Sequence, residues 1–232
     1  MKMKHNAESN LSTQDRILEA AGEVFAEYGF RCATIRMICE RARVNVAAIN
    51  YHFHSKEELY ADVLKYWHEF AIKKYPPLLG MGENAPPEEQ LRAFIRSLLF
   101  RVLDKGKPSW FGRVMAREMT EPTRAFDHMV NEVMRPLNKL LATIIEKIVG
   151  TPVSEEAIRM CCASILSQCY YYYNTRVIAP LFQKDMSEPD QIERIADHIL
   201  RFSLKGLEHY SVSAPMKGRK EEYSLSRRDA AD

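Results

Sequence analysis

The sequence predicts an all-α fold in two parts, an N-terminal head of short helices followed by a larger C-terminal helical bundle. Apolar residues recur at every third or fourth position along most of the chain, the spacing that places them on one face of a helix. Alternation of apolar and polar residues, which would indicate strands, appears nowhere at useful length. Hydrophobic residues make up 46% and charged residues 28% of the 232 positions, which is enough apolar material for a folded core.

The first three helices are closely spaced. Thr13 is placed as the N-cap of a helix that ends near Gly29. Thr34 caps a second helix over 35–42, and a third runs from 46 to about 52. Two short helices joined by a tight turn after a longer helix match the helix-turn-helix plan, in which the last helix enters the major groove of DNA.

A fourth, longer helix begins after Ser55 and ends before the double proline at 76 and 77, which starts a linker over 76–87. The body helices follow at 88–104, 109–119, 123–149, 154–177 and 188–209. These assignments divide the chain into a flexible N-terminus (1–12), a helix-turn-helix domain (13–60), a C-terminal domain (61–210) and a disordered tail (211–232).

The third helix has the composition of a recognition helix. Ala48, Ile49 and Phe53 form its apolar side, and the small residues at 47 and 48 allow its backbone to approach the groove closely. Asn50 offers an amide donor and acceptor to a base edge or a phosphate. Taken singly, the neighbouring aromatic residues fit a hydrophobic core equally well, so the prediction depends on the whole pattern.

Phosphate contacts are expected on both sides of this helix. Tyr51 and His52 have suitable polar atoms, and Thr34 and Lys56 stand at helix N-termini, where the helix dipole favours an anion. Lys56 and the arginines of the head fit a solvated surface equally well. The candidate DNA contacts are Thr34, Arg43, Asn45, Val46, Ala47, Asn50, Tyr51, His52 and Lys56.

Five features stand together between Ile17 and Leu64: Gly29, the Thr34 cap, the turn at 42–44, the run Tyr51 to Phe53 and the run Ser55 to Glu57. With them, this segment resembles the N-terminal domain of the TetR family of bacterial regulators. Arg43 departs from the family pattern because glycine is usual there, and Asn50 departs because an aromatic residue is common there. Arg43 therefore implies a strained turn or one more phosphate contact, and Asn50 implies a shifted base preference.

The segment 111–141, FGRVMAREMTEPTRAFDHMVNEVMRPLNKLL, resembles the C-terminal domain of CecR-like members of that family. The resemblance implies a repressor that binds a palindromic operator and is released by a small apolar or amphipathic effector, held in a mainly apolar pocket. Plain core packing is the alternative for each candidate pocket residue. These candidates are Trp110, Phe111, Met115, Arg117, Glu118, Phe126, Met129, Gln168, Tyr172 and Asn174.

A homodimer is also implied by the resemblance. The helices at 154–177 and 188–209 are then expected to pack against their copies as a four-helix bundle around a two-fold axis. The four consecutive tyrosines from Tyr170 to Tyr173 cannot all face one way on a helix, so some are expected at an interface, a cavity or solvent.

Charge and cysteine content argue against other functions. The net charge of +2 is too near neutrality to indicate nucleic-acid binding by itself. The five cysteines include no CxxC pair and no zinc spacing with histidine, so we expect no metal and no cofactor. A redox sensor at Cys161, Cys162 and Cys169 remains a minor alternative.

Catalysis and membrane insertion are likewise not expected. Pairs such as Asp127 with His128 or Glu155 with Cys161 lack any phosphate loop or nucleophile elbow around them, so the sequence predicts no enzyme. The longest uncharged run, 160–175, is about 16 residues, short of the ~20 that a spanning helix needs. With no apolar signal segment at the N-terminus, a cytoplasmic location is expected. A helical interaction module without DNA binding is the rival interpretation.

Overall fold

The computed structural model describes residues 12–82, 84–103, 110–150, 152–173, 180–181 and 185–212, and every regular element in these ranges is a helix, as predicted. Predictions for 1–11, for the tail beyond 212 and for the end of the helix placed at 154–177 lie outside the described residues. The helices are α1 (Thr13–Cys32), α2 (Ile35–Ala42), α3 (Val46–Phe53), α4 (Lys56–Lys74), α5 (Pro87–Leu103), α6 (Trp110–Thr120), α7 (Arg124–Met129), α8 (Arg135–Val149), α9 (Glu155–Tyr170) and α10 (Pro189–Val212).

Side-chain caps begin the four head helices. Thr34 caps α2 as predicted, and Asn45 and Ser55 cap α3 and α4. Each accepts a backbone N–H three residues later. The predicted cap of α1 is wrong by one residue, because Ser12 rather than Thr13 forms a reciprocal capping box with Asp15. The regular part of α1 ends where expected, since Gly29 adopts φ 76° and ψ 162° there.

Two hydrophobic cores organise the molecule. The first packs α1 to α4 around buried residues such as Phe25, Ile38 and Phe53, and it continues into α6 through Trp110 and Val114. The second joins α5, α8, α9 and α10. The head therefore shares its core with the first part of the body, and packing crosses the boundary predicted at residue 60.

The helix predicted without interruption over 123–149 is wrong in its middle. The chain forms α7, then a π-helical turn at Val130–Met134, then α8. Pro136 lies at the start of α8, and a proline ring both lacks an N–H donor and collides with the carbonyl four residues earlier. Widening the preceding turn relieves that collision, and such turns are frequent at functional sites.

Replacing Arg43 with glycine is expected to stabilise the protein. Arg43 ends α2 with φ 55° and ψ 48°, the left-handed conformation that costs a residue with a Cβ about 1 kcal/mol. Arg43→Gly should therefore raise the free energy of unfolding by about 0.5–1 kcal/mol in urea titrations. Arg43→Lys is the control because it keeps the strain, and equal stability of the two variants would contradict the prediction.

Candidate DNA interface and effector cavity

Helix α3, which the sequence predicts as the recognition helix, presents both polar and apolar side chains to solvent. Ile49 and Phe53 are each 1% exposed and anchor the helix to the head, while Tyr51 is 80% exposed and Val46 48% exposed. Asn50 is exposed beside them. These exposed side chains are therefore able to reach a partner of the head.

The remaining predicted DNA-contacting residues of the head differ in exposure and in hydrogen bonding. Ala47 and Arg43 are exposed, and the half-buried His52 ring lies 5.1 Å from the Tyr51 ring, edge to face. Asn45 Oδ1 accepts the Ala48 N–H at 2.9 Å, and Thr34 Oγ1 accepts the Met37 N–H at 3.3 Å. Capping uses one oxygen of each, which leaves the Asn45 amide group and the Thr34 hydroxyl able to donate to DNA.

Lys56 has a different role from the predicted phosphate contact. Its ammonium donates to the backbone carbonyls of Phe30 at 3.0 Å and Ala33 at 3.1 Å, and lies 4.6 Å from the centre of the Phe30 ring. These carbonyls belong to the end of α1, where a helix lacks internal donors. Lys56 therefore fastens the start of α4 to the end of α1.

Three predicted pocket residues of α6 contact the head, and their role in effector binding stays a prediction. Arg117 donates to the Glu27 carbonyl at 3.2 Å, and its Nη1 lies 2.7 Å from where a Cβ on Gly29 would stand. Trp110 is 2% exposed and its ring covers Gly22 of α1. The third of these residues is Glu118 of α6, which contacts Tyr60 of α4.

Glu118 is a buried carboxylate, 2% exposed, at the centre of this contact. One oxygen accepts the Tyr60 hydroxyl of α4, and the other accepts the Thr123 N–H at 2.9 Å and the Thr123 hydroxyl at 3.1 Å. Burial, followed by the hydrogen bond to Glu118, raises the pKa of Tyr60 far above its usual range. The Tyr60 phenol therefore stays protonated at neutral pH and donates its hydrogen bond to Glu118.

A cavity of about 270 Å³ lies beneath the head, between α4, α5, α6, the π-helical turn and the end of α9. Three predicted pocket residues, Phe111, Met115 and Met129, line it. Its wall is mainly apolar. The full set is His68, Ala71, Leu98, Arg101, Val102, Phe111, Met115, Ala116, Met119, Met129, Val133, Met134, Leu137 and Tyr170.

Three further pocket predictions are not supported by the geometry. Phe126 packs against the first core, and Tyr172 packs against the second core with its ring 5.5 Å from Tyr171. Gln168 donates to the Ser164 carbonyl of its own helix at 3.2 Å. The fourth, Asn174, lies outside the described residues.

Sequence reasoning missed the polar wall residues His68, Arg101 and Tyr170. The sequence did contain one signal, since Arg101 interrupts the apolar run SLLFRVL on a face otherwise suited to burial. An arginine is rarely buried unless its charge has a partner, so a buried Arg101 is a candidate for binding an anion.

The body cysteines do not have the properties of redox sensors. Burial raises the pKa of Cys162 to about 11 and that of Cys169 to about 12, so both thiols stay protonated at neutral pH. All five cysteines are unpaired with one another. Within the described ranges, no helix is long and apolar enough to cross a membrane.

Both parts of the chain match known protein families. Residues 17–63 match the model of bacterial regulatory proteins of the tetR family, and residues 87–207 match the C-terminal domain of the HTH-type transcriptional dual regulator CecR. The chain belongs to the TetR family. As a member, it is a transcriptional regulator with a helix-turn-helix DNA-binding domain and a CecR-like C-terminal domain.

Individual relatives agree with this assignment. The chain is 32% identical over 150 residues to the dual regulator CecR of Shigella flexneri, an alignment covering 60% of this chain and 66% of CecR. It is 35% identical over 70 residues to UidR of Escherichia coli K12, covering 30% and 36%.

Solved structures of other proteins share the fold. A putative fatty acid metabolism regulator of Clostridium perfringens superposes with a TM-score of 0.65 at 18% identity, over 82% of this chain and 97% of that one. The ketosteroid regulator KstR2 of Mycobacterium tuberculosis gives 0.60 at 17% identity, over 84% and 94%.

Proposed function

We propose that this TetR-family regulator is a repressor that binds a palindromic operator as a homodimer and is released by a small apolar or amphipathic effector. The observation that carries the proposal is the position of the cavity, because helix α6 lines it on one face and contacts the DNA-binding head on the other. The DNA surface, the dimer surface and the connection between cavity and head support the parts of the proposal in turn.

The DNA surface is the exposed side of α3. An α-helix fits the major groove, and the exposed Ala47 allows close approach of its backbone. Asn50 then reads a base edge while Tyr51 contacts the phosphate backbone. The half-buried His52 and the caps Thr34 and Asn45 position the head, and Arg43 adds a cation at the turn.

The dimer surface lies on the outer sides of α9 and α10. Four uncharged residues of α9 are exposed at the spacing of a single helix face, and Tyr171, just after the helix, is exposed in line with them. The four are Met160, Ala163, Ser164 and Ser167. Small residues there allow another helix to approach closely.

On α10, Phe202 is 66% exposed, with His198 and Gly206 one turn to either side. Exposed uncharged side chains on two adjacent helices fit a second copy of the chain in a four-helix bundle. Two heads spaced about one DNA turn, ~34 Å, then read a palindrome.

Helix α6 provides the connection between effector and head. Phe111, Met115 and Met119 recur every four residues along the face that lines the cavity. Trp110 and Glu118 lie on the face that contacts α1 and α4. An effector that prefers one position of α6 by ~100-fold contributes about 2.7 kcal/mol to the choice between DNA-bound and released states.

The test is selection of genomic fragments by the purified full-length protein, followed by affinity measurements at two salt concentrations. We expect a palindromic site whose affinity falls as salt rises, because phosphate contacts release counterions. Tyr51→Ala and Asn50→Ala should each weaken binding by at least about tenfold, the effect of roughly 1.4 kcal/mol.

The matched control is Tyr28→Ala, which removes another exposed tyrosine of the head outside α3 and should leave the affinity unchanged. A folded dimer that enriches no site would refute the repressor proposal. In that case the head serves as a scaffold, and the helical interaction module becomes the better interpretation.

A further inference from the structure

We propose that the effector is a small amphipathic carboxylate whose anionic group is bound by Arg101 and whose apolar part fills the rest of the cavity. This inference rests on the proposed function, since it names the chemical class of the effector. Four observations carry it: the burial of Arg101, its polar neighbours in the cavity wall, the composition of the remaining wall and the cavity volume.

Arg101 places a permanent positive charge in an apolar wall. It is 7% exposed, and a guanidinium does not lose its proton in proteins. Its Nε donates to the Ser97 carbonyl of the preceding turn at 3.3 Å. Five N–H donors in a planar fork allow a guanidinium to keep partners within the protein and still bind a carboxylate.

The described wall contains donors but no acidic side chain. Tyr170 and His68 line the same cavity as Arg101 and come from two other helices. Burial raises the pKa of Tyr170 despite the opposing effect of the Arg101 charge, so its hydroxyl remains a donor at neutral pH. A ligand anion therefore meets positive charge and donors, whereas a ligand cation would meet Arg101 in a medium of low dielectric constant.

The rest of the wall suits a hydrocarbon of variable shape. Met115, Met119, Met129 and Met134 all contribute to it. Methionine side chains are flexible and polarisable, so they adapt to ligands of different outline. Met119 is 63% exposed although it lines the cavity, which places the opening to solvent beside it.

The volume limits the size of the apolar part. A cavity of ~150 Å³ in another protein holds benzene, so about 270 Å³ holds a body roughly twice that size. A medium-chain or aryl-alkyl carboxylate fits within this volume.

The experiment compares probes that share a tail and differ in their polar group: octanoate, 1-octanol and octylamine, titrated calorimetrically into full-length protein. We expect octanoate to bind the wild type at least about tenfold more tightly than 1-octanol, and octylamine to bind more weakly than either. Octanoate that binds no better than 1-octanol, or does not bind, overturns the proposal.

Two Arg→Met variants separate binding by Arg101 from effects on folding. Arg101→Met should lose the preference for octanoate while keeping its affinity for 1-octanol, which shows that the cavity is intact. Arg92→Met, on an exposed position of the same helix, should keep the preference. A preference that survives Arg101→Met overturns the assignment of Arg101.

Operator affinity is measured in parallel, with and without octanoate, and distinguishes this inference from the proposed function. Tight octanoate binding that leaves operator affinity unchanged overturns the effector role. Failure to find an operator refutes the proposed function. The preference for octanoate over 1-octanol is still measured on the same protein, and it decides whether the carboxylate site exists.

Discussion

Gly22→Leu is expected to lower the free energy of unfolding by about 3 kcal/mol, because it forces extra atoms into a close-packed contact between head and body. Even a Cβ on Gly22 would lie 2.1 Å from Cη2 and Cζ2 of Trp110. The Trp110 ring is buried and packs edge to face against Trp67, with ring centres 5.1 Å apart. It therefore cannot move aside without disturbing the contact between head and body, here called the seam. The shift in urea midpoint measures the loss.

The control for Gly22→Leu replaces Trp110, its partner in the contact, with a smaller residue. Adding Trp110→Leu should recover part of the lost stability, so that the two changes together cost less than the sum of each alone. Strict additivity would mean that the two residues do not meet in solution. Unchanged stability of Gly22→Leu itself would contradict the geometry of the seam directly.

Glu118→Ala should cost a similar amount, about 3 kcal/mol, by leaving buried donors without an acceptor. The Tyr60 hydroxyl and the Thr123 N–H and hydroxyl all donate to this carboxylate. Glu121→Ala removes an exposed glutamate three residues away and should change stability by less than about 0.5 kcal/mol, a range typical of surface sites. Equal effects of the two changes would show that the buried network contributes nothing.

The same network gives stability an alkaline dependence. The pKa of Tyr60 is raised above its ordinary 10.0 in the folded protein, so folding favours the protonated phenol. This contribution is complete below about pH 10 and is lost as the pH rises further. Urea midpoints should fall less between about pH 8 and about pH 10.5 in Tyr60→Phe than in the wild type, and equal slopes would contradict the assignment.

The head was predictable because its signals are local. Thr34, Asn45 and Ser55 are residue types that favour the N-cap position, and each stands at the start of a helix. The exposed and buried sides of α3 follow from the spacing of apolar residues within that short helix. The start of α1 was misplaced by one residue because Ser12 and Thr13 are both good N-caps, and only Asp15 three residues after Ser12 distinguishes them.

The cavity was only partly predictable because it depends on which helix faces meet. Phe111 and Met115 were expected there, but so were Trp110, Arg117 and Glu118 of the same helix, which face the head instead. Periodicity separates the two faces of α6 without saying which one meets which neighbour.

Distant parts of the chain also contribute to the cavity wall. His68, Arg101 and Tyr170 come from separate helices, and only the packing of α4, α5 and α9 brings them to one cavity. Nothing local in the sequence specifies that packing.

The seam between head and body has an optical consequence. Trp67 and Trp110 are the chain's two tryptophans, and both stand at that seam, each within a few residues of the cavity wall formed by Ala71 and Phe111. Their perpendicular rings are close enough for the emission of one to depend on the other. The unlabelled protein therefore contains a reporter between head and body, and its intrinsic fluorescence can test the proposed coupling of effector binding to head movement in real time.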